Sequence, residues 1–208
     1  MPYRTPADVA RRKAEMRAGI LAAAARLIAA NGYAATTVQQ IVREAGTSVG
    51  NCYFYFPDKA ALFLALLEEI SAEIGRAVDA ALAQVPPGPA QLAVAVYTGV
   101  TALLERGDLA RVILVEANQP AFRAVVLNHF TDRVQRFFVA HPELCGAGGP
   151  TFAAYAWQGA IFNVLEGVIT QHIPSDPAMI GRQLARWNLQ AVGLPADQVE
   201  QALAVLDG

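Results

Sequence analysis

The sequence predicts an all-α protein in two parts: an N-terminal three-helix helix-turn-helix domain over residues 1–60, and a C-terminal helical-bundle domain over residues 61–208. Three observations lead there. Apolar residues recur every three to four positions along most of the chain, and no stretch sustains the two-residue alternation of a half-buried strand. The 54% hydrophobic content comes largely from alanine, which suits helices packed in water, and prolines and glycines cut the long uncharged runs into pieces too short to span a bilayer. Between Thr37 and Leu62, two short helix starts flank a glycine turn at helix-turn-helix spacing.

The first helix of that unit is predicted over residues 38–45. Thr37 is an N-cap with Gln40 three residues on, the capping-box pair, while Val38, Ile41, Val42 and Ala45 repeat at the helical period. Gly46 supplies the left-handed residue that ends it, and Ser48 caps the next helix, residues 48–53. Ser48, Val49, Gly50 and Asn51 are small or polar, so the N-terminal end of this recognition helix can approach base edges and phosphates. The Asn51 amide has the pattern to pair with adenine, but it can equally cap the helix or touch backbone. Tyr53 and Tyr55 carry hydroxyls for phosphate oxygens, Phe54 and Phe56 alternate with them as apolar anchors, and Lys59 opens the next helix where a phosphate contact suits it better than the helix dipole does.

A long helix over residues 58–83, with Asp58 as N-cap, repeats Leu62, Leu66, Ile70 and Ile74 on one side and carries Glu68, Glu69 and Glu73 as a solvated face on the other. It joins the two domains, so it can pass a displacement from one to the other. After a Pro86 to Pro89 turn, helices are expected over residues 90–106, 109–118, 120–140, 151–173, 177–192 and 196–206. The run from Cys145 to Pro150 has the glycine content of a phosphate cradle but neither its Lys-Ser/Thr ending nor a preceding strand, and is read as a loop.

The segment around the turn resembles the DNA-binding motif of the tetracycline-repressor (TetR) family of bacterial transcriptional regulators. The matching positions are Thr37, Ala45, Gly46, Ser48, Gly50, Tyr53, Tyr55, Phe56, Lys59 and Leu62, and the likeness runs back through Ile20, Leu21, Ala24, Leu27 and Ile28 to cover about residues 14–67. Val42, Thr47 and Cys52 depart from residues usual in that family. The resemblance implies a double-stranded DNA operator as partner, an effector site in the C-terminal domain and a homodimer made by the last two long helices.

The residues add to each expectation. Residues 1–60 hold eight basic and four acidic side chains, +4, whereas the remainder holds eight and fourteen, −6, so the basic end is the end with the motif. Arg11, Arg12 and Lys13, with Arg4 before them, are candidates for a flexible arm on the DNA; Arg17 and Arg26 are read as solvated. Ala156, Gly159, Ala160, Asn163 and Gly167 form a small-residue stripe, and Leu184 and Trp187 belong to an apolar load on the following helix; a pair of such faces can dock on its symmetry mate as a four-helix bundle. Tyr97, Glu116, Phe130, Trp157 and Phe162 are candidates to line a cavity for a small molecule, with apolar or aromatic compounds weakly favoured.

Cys52 and Cys145 lie in unrelated settings and suggest a reduced cytoplasmic protein, with a redox role for Cys52 as a minor alternative; no cleavable signal pattern is present. His129, His141 and His172 are dispersed, and no nucleophile motif or nucleotide loop accompanies them, so no enzyme, cofactor or metal site is expected. The expectation is therefore a homodimeric repressor that reads a palindromic operator and is released by an effector. Its rivals are a regulator without effector, controlled by a protein partner, and, more remotely, a helical enzyme.

Overall fold

Pro6 opens a helix much longer than the motif requires. In the computed structural model, which describes residues 6–173 and 176–207, α1 runs over Pro6–Asn31. It buries Ile20, Leu21 and Ile28 beside Ala23, Ala24 and Ala25, whose small side chains keep the helix thin where α2, α4 and α6 pack on it. Arg11, Arg12 and Lys13 lie on its exposed turns, with Arg11 between Asp8 at 3.3 Å and Glu15 at 3.7 Å. They form a helical face instead of the flexible arm anticipated, because i,i+3 and i,i+4 partners support the turn; Arg4 lies outside the described residues.

α2 (Val38–Glu44) has the capping box read from the sequence: Gln40 N–H donates to Thr37 Oγ1 at 3.3 Å, and Thr37 N–H to Gln40 Oε1 at 2.7 Å. At its C-terminus Gly46 takes φ +65°, Thr47 N–H reaches Val42 O at 2.9 Å and Gly46 N–H reaches Arg43 O at 3.3 Å, the paired bonds of a Schellman turn. α3 (Val49–Tyr55) follows at once. α4 (Lys59–Leu82) begins at Asp58, whose carboxylate accepts from Ala61 N–H at 2.7 Å. Two of its three glutamates are paired, Glu69 with Arg17 at 3.3 Å and Glu73 with Arg106, so Arg17 is not simply solvated; nor is Arg26, which holds Glu44 at 3.0 Å.

The remaining helices are α5 (Pro89–Leu104), α6 (Gly107–Leu114), α7 (Pro120–Ala140), α8 (Gly149–Ile169), α9 (Pro177–Ala191) and α10 (Ala196–Ala204), and no strand occurs among the described residues. The anticipated single helix over 109–118 is broken: Ala117 takes ψ +33°, and Glu116–Asn118 forms a separate 3-10 turn. The Cys145 loop is likewise tightened into short 3-10 turns, with buried Cys145 donating its thiol to Phe138 O at 3.3 Å. α4 lies against both α5 and α7, α8 packs mainly on α7, and α9 packs mainly on α5. α8 and α9 are thus neighbours in sequence that each lean on a different helix. No helix among the described residues is long and apolar enough to cross a membrane.

The two halves meet at the turn after α1. Tyr33 N–H donates to Glu116 Oε2 at 2.8 Å, and the Tyr33 ring lies 4.6 Å from Phe63 of α4 and 5.3 Å from Phe122 of α7. Gly32, at φ +83°, leaves room for the same carboxylate, since a Cβ there would stand 3.3 Å from Glu116 Oε2. Buried Thr36 closes the turn by donating to Gly32 O at 2.8 Å. Glu116→Ala leaves the Tyr33 N–H without its acceptor and should cost about 1–3 kcal/mol in urea unfolding, whereas Glu116→Gln, which keeps an acceptor oxygen, should cost less.

Candidate nucleic-acid interface and effector cavity

Ser48 is the N-cap of α3 and accepts from Asn51 N–H at 3.1 Å. The Asn51 side chain turns back as well, its Nδ2 donating to Thr47 Oγ1 at 2.7 Å. One of its two amide hydrogens is therefore engaged in locking the turn, and the other hydrogen and the oxygen are left to reach outward; a valine at position 47 could not accept this bond. Thr37 is similarly occupied, its hydroxyl donating to Gln40 Oε1 at 2.9 Å. Val49 is half-buried, Gly50 is exposed, and a Cβ on Gly50 would touch nothing, so this end of the helix presents a low, open backbone.

Further along, Tyr53 and Phe54 are 48% and 67% exposed, while Tyr55 is half-buried against Phe54 and Phe56. Phe56 is an anchor as anticipated. Phe54 is not, because its place on α3 points it away from the core. Lys13 Nζ lies 5.4 Å from the Phe54 ring and Arg17 the same distance from Phe56, so α1 brings two cations beside α3. The sequence reading missed this pair, although their i,i+4 spacing puts both on one helical face. Lys59 Nζ sits 4.2 Å from the Tyr33 ring centroid and 3.4 Å from Ala34 O, and partial burial lowers its pKa. It is an aimed cation and not a free surface one. Cys52 is buried within α3 and burial raises its thiol pKa, the opposite of what an oxidation sensor needs.

The C-terminal domain contains a cavity of about 230 Å³ between α4, α5, α7 and α8. Of the five candidates, Phe130, Trp157 and Phe162 line it, with Phe130 and Phe162 edge to face at 5.6 Å. Tyr97 does not, because it faces α9, where Gly181 comes close enough that a Cβ would lie 3.1 Å from Tyr97 Cδ2. Nor does Glu116, which is committed to Tyr33. Val78, Val96, Gly99, Phe137 and Ile161 complete much of the wall, and Asp79, Arg133, Arg136 and Gln158 provide polar atoms. Nothing in the linear spacing distinguished these wall residues from ordinary core.

On α8, Ala156, Gly159 and Asn163 are exposed and Ala160 is half-buried, with Phe152 and Tyr155 of the same helix 66% and 57% exposed. Trp187 of α9 is also exposed, at 56%. Leu184 is instead buried in the chain's own core, and Gly167 is covered by Ile173, whose Cδ1 would lie 2.9 Å from a Cβ there. These two residues serve internal packing. Among the described residues no three His, Cys, Asp or Glu side chains converge as metal ligands.

The family model described as bacterial regulatory proteins, tetR family, matches residues 20–66, which span most of α1 through the first turns of α4. The HTH-type transcriptional regulator EthR of Mycolicibacterium smegmatis is 34% identical over 75 residues, 36% of this chain and 35% of that protein. The chain thus aligns with about a third of the length of the curated relative it matches. Among solved structures, the fatty acid degradation regulator FadR of Bacillus halodurans superposes with a TM-score of 0.75 at 19% identity, covering 85% of this chain and 98% of the other. FadR of Bacillus subtilis, solved with stearoyl-CoA, gives 0.73 at 20% identity over 82% and 96%. A bacterial regulatory protein of the tetR family from Rhodococcus RHA1 gives 0.68 at 26% identity over 86% and 98%.

Tyr53→Phe and Lys59→Ala should each weaken DNA binding across all sequences, and Lys59→Ala should flatten the slope of log affinity against log salt by about 0.9, measured by fluorescence anisotropy. A change in which sequence is preferred would instead assign these residues to base reading. A second expectation concerns His129, whose pKa is lowered, first by burial and then by Arg133. The folded state then binds fewer protons than the unfolded one, so this stabilisation is complete above the ordinary imidazole pKa of about 6.5 and is lost as pH falls toward the depressed value. Thermal melts should therefore drop more steeply with acidification in the wild type than in His129→Gln.

Proposed function

We propose that this chain, whose residues 20–66 match the tetR family model of bacterial regulatory proteins, is a member of that family and a homodimeric cytoplasmic repressor that binds a palindromic DNA operator and is released by a small-molecule effector. We divide it near residue 60, with DNA binding before and effector binding and dimerisation after. The observation that carries the DNA reading is the open end of α3, where Ser48, Gly50, Tyr53 and Phe54 are exposed beside Lys13. A groove-facing helix needs a slim leading end for base edges and flanking hydroxyls and cations for phosphates, and those are the groups present.

The effector reading is supported by the apolar cavity behind α4 and by the bound stearoyl-CoA of the Bacillus subtilis neighbour. The cavity and the recognition unit share α4, while Glu116 and Phe122 grip the turn that precedes α2. A compound that moves these elements changes the separation of the two recognition helices and so costs operator affinity. The homodimer is supported by the exposed Phe152, Tyr155 and Trp187 together with the open stripe at Ala156, Gly159 and Asn163, more apolar surface than solvation favours. The neighbours' identity as regulators and the dispersed histidines favour regulation over catalysis.

Selection of bound sequences from random duplex DNA at fixed salt should return an inverted repeat whose half-site centres lie about 34–36 Å apart. Gly159→Arg should yield a monomer by light scattering and lose the inverted-repeat preference. Recovery of unrelated sequences, or a wild type that is monomeric at micromolar concentration, would overturn the proposal.

A further inference from the structure

Arg133 reaches from α7 across to α4. Its Nη2 donates to Gly75 O at 3.0 Å and to the Asp79 carboxylate. Gly75 leaves room for the crossing: a Cβ at that position would stand 3.2 Å from Arg133 Nη1, and the guanidinium would have to give by a few tenths of an ångström. The two partners are unequally placed, since the Arg133 side chain is 25% exposed and that of Asp79 is 61% exposed. The cation is the inner member of the pair and the acid is the outer one, so Asp79 can return to water at small cost.

Both residues line the cavity. Arg133 uses only Nη2, which leaves its Nε and Nη1 hydrogens without an acceptor among the described residues. Arg136, on the same helix, reaches the wall as an exposed side chain and has no carboxylate partner among them. Two guanidinium groups against one displaceable acid give the polar part of the cavity a cationic excess, while Phe130, Phe137, Trp157 and Phe162 make the rest apolar. A planar fork with unfilled donors is the group that pairs with a carboxylate.

Resting on the reading that this cavity holds the effector, we infer that the effector is an amphipathic carboxylic acid, an apolar body with one acidic head, and that its carboxylate takes Arg133 from Asp79. The exchange has a structural consequence. Arg133 is a tie between α7 and α4, and a ligand that captures it loosens α4, the helix whose first turn carries Lys59 beside the recognition unit. A neutral apolar compound fills the same space and leaves the tie intact.

The test uses octanoate, decanoate and 4-phenylbutyrate, each against its primary amide, by titration calorimetry at neutral pH on the full chain, with Arg133→Gln and Asp79→Asn as variants. The acids should bind wild type about ten- to a hundredfold more tightly than their amides, the span of a charge-assisted hydrogen bond. Arg133→Gln should abolish that preference while amide binding persists, and Asp79→Asn should tighten the acids by removing their competitor. Acids and amides binding wild type alike, or a preference that survives Arg133→Gln, would overturn this inference and leave the cavity as an effector site. Failure of every acid and every amide to bind a chain that still melts cooperatively would instead overturn the effector reading on which it rests.

Discussion

The recognition unit is oriented by the grip on Tyr33. One residue at the α1–α2 turn gives its N–H to a carboxylate 83 positions later, its ring to Phe63 and Phe122, and a ring face to Lys59. Each aromatic contact contributes about 0.5–1.5 kcal/mol beyond area burial, and the charge-assisted hydrogen bond about 1.5–3 kcal/mol, so the turn is not a hinge that opens freely. It moves when the segment carrying Glu116 and Phe122 moves. Because that segment packs between α6 and α7, it ties the three-helix unit to the C-terminal helices.

A second set of ties joins α4 to its surroundings. Arg17 and Arg106 hold its glutamates from opposite domains, and Arg133 holds its Gly75 carbonyl and Asp79. Pairs this exposed contribute little to stability, about 0–1 kcal/mol each. Their importance lies in register. A helix 24 residues long, held at three heights by exposed and therefore readily exchanged contacts, suits the response to an effector proposed above.

Much of the N-terminal domain was legible because its determinants are local. A capping box, a left-handed glycine and an N-cap serine each act within five residues, and the helices they bound were read to within two residues. The cavity was less so. Phe130, Trp157 and Phe162 were found as large aromatics in apolar helices, but Tyr97 has the same character and belongs elsewhere, because which face of a helix meets the void depends on how α5 divides itself between α4 and α9. Leu184 and Gly167 went astray for a related reason: small and apolar residues satisfy an internal contact and an external one equally well, and only the path of Ile173 and the seating of α9 on α5 decide between them. Glu116 carried no signal of its partner, since 83 residues separate it from Tyr33.

The chain has only two tryptophans, and the fold sends them to opposite environments. Trp157 stands in the cavity wall at 7% exposure, its buried indole N–H meeting no hydrogen-bond partner among the described residues, whereas Trp187 is 56% exposed on α9. In a lone chain their emission should therefore separate by wavelength, a blue component from the interior and a red one from the surface. The molecule thus carries two intrinsic optical reporters, one beside the cavity and one on the face proposed to meet a second copy, readable without any attached dye.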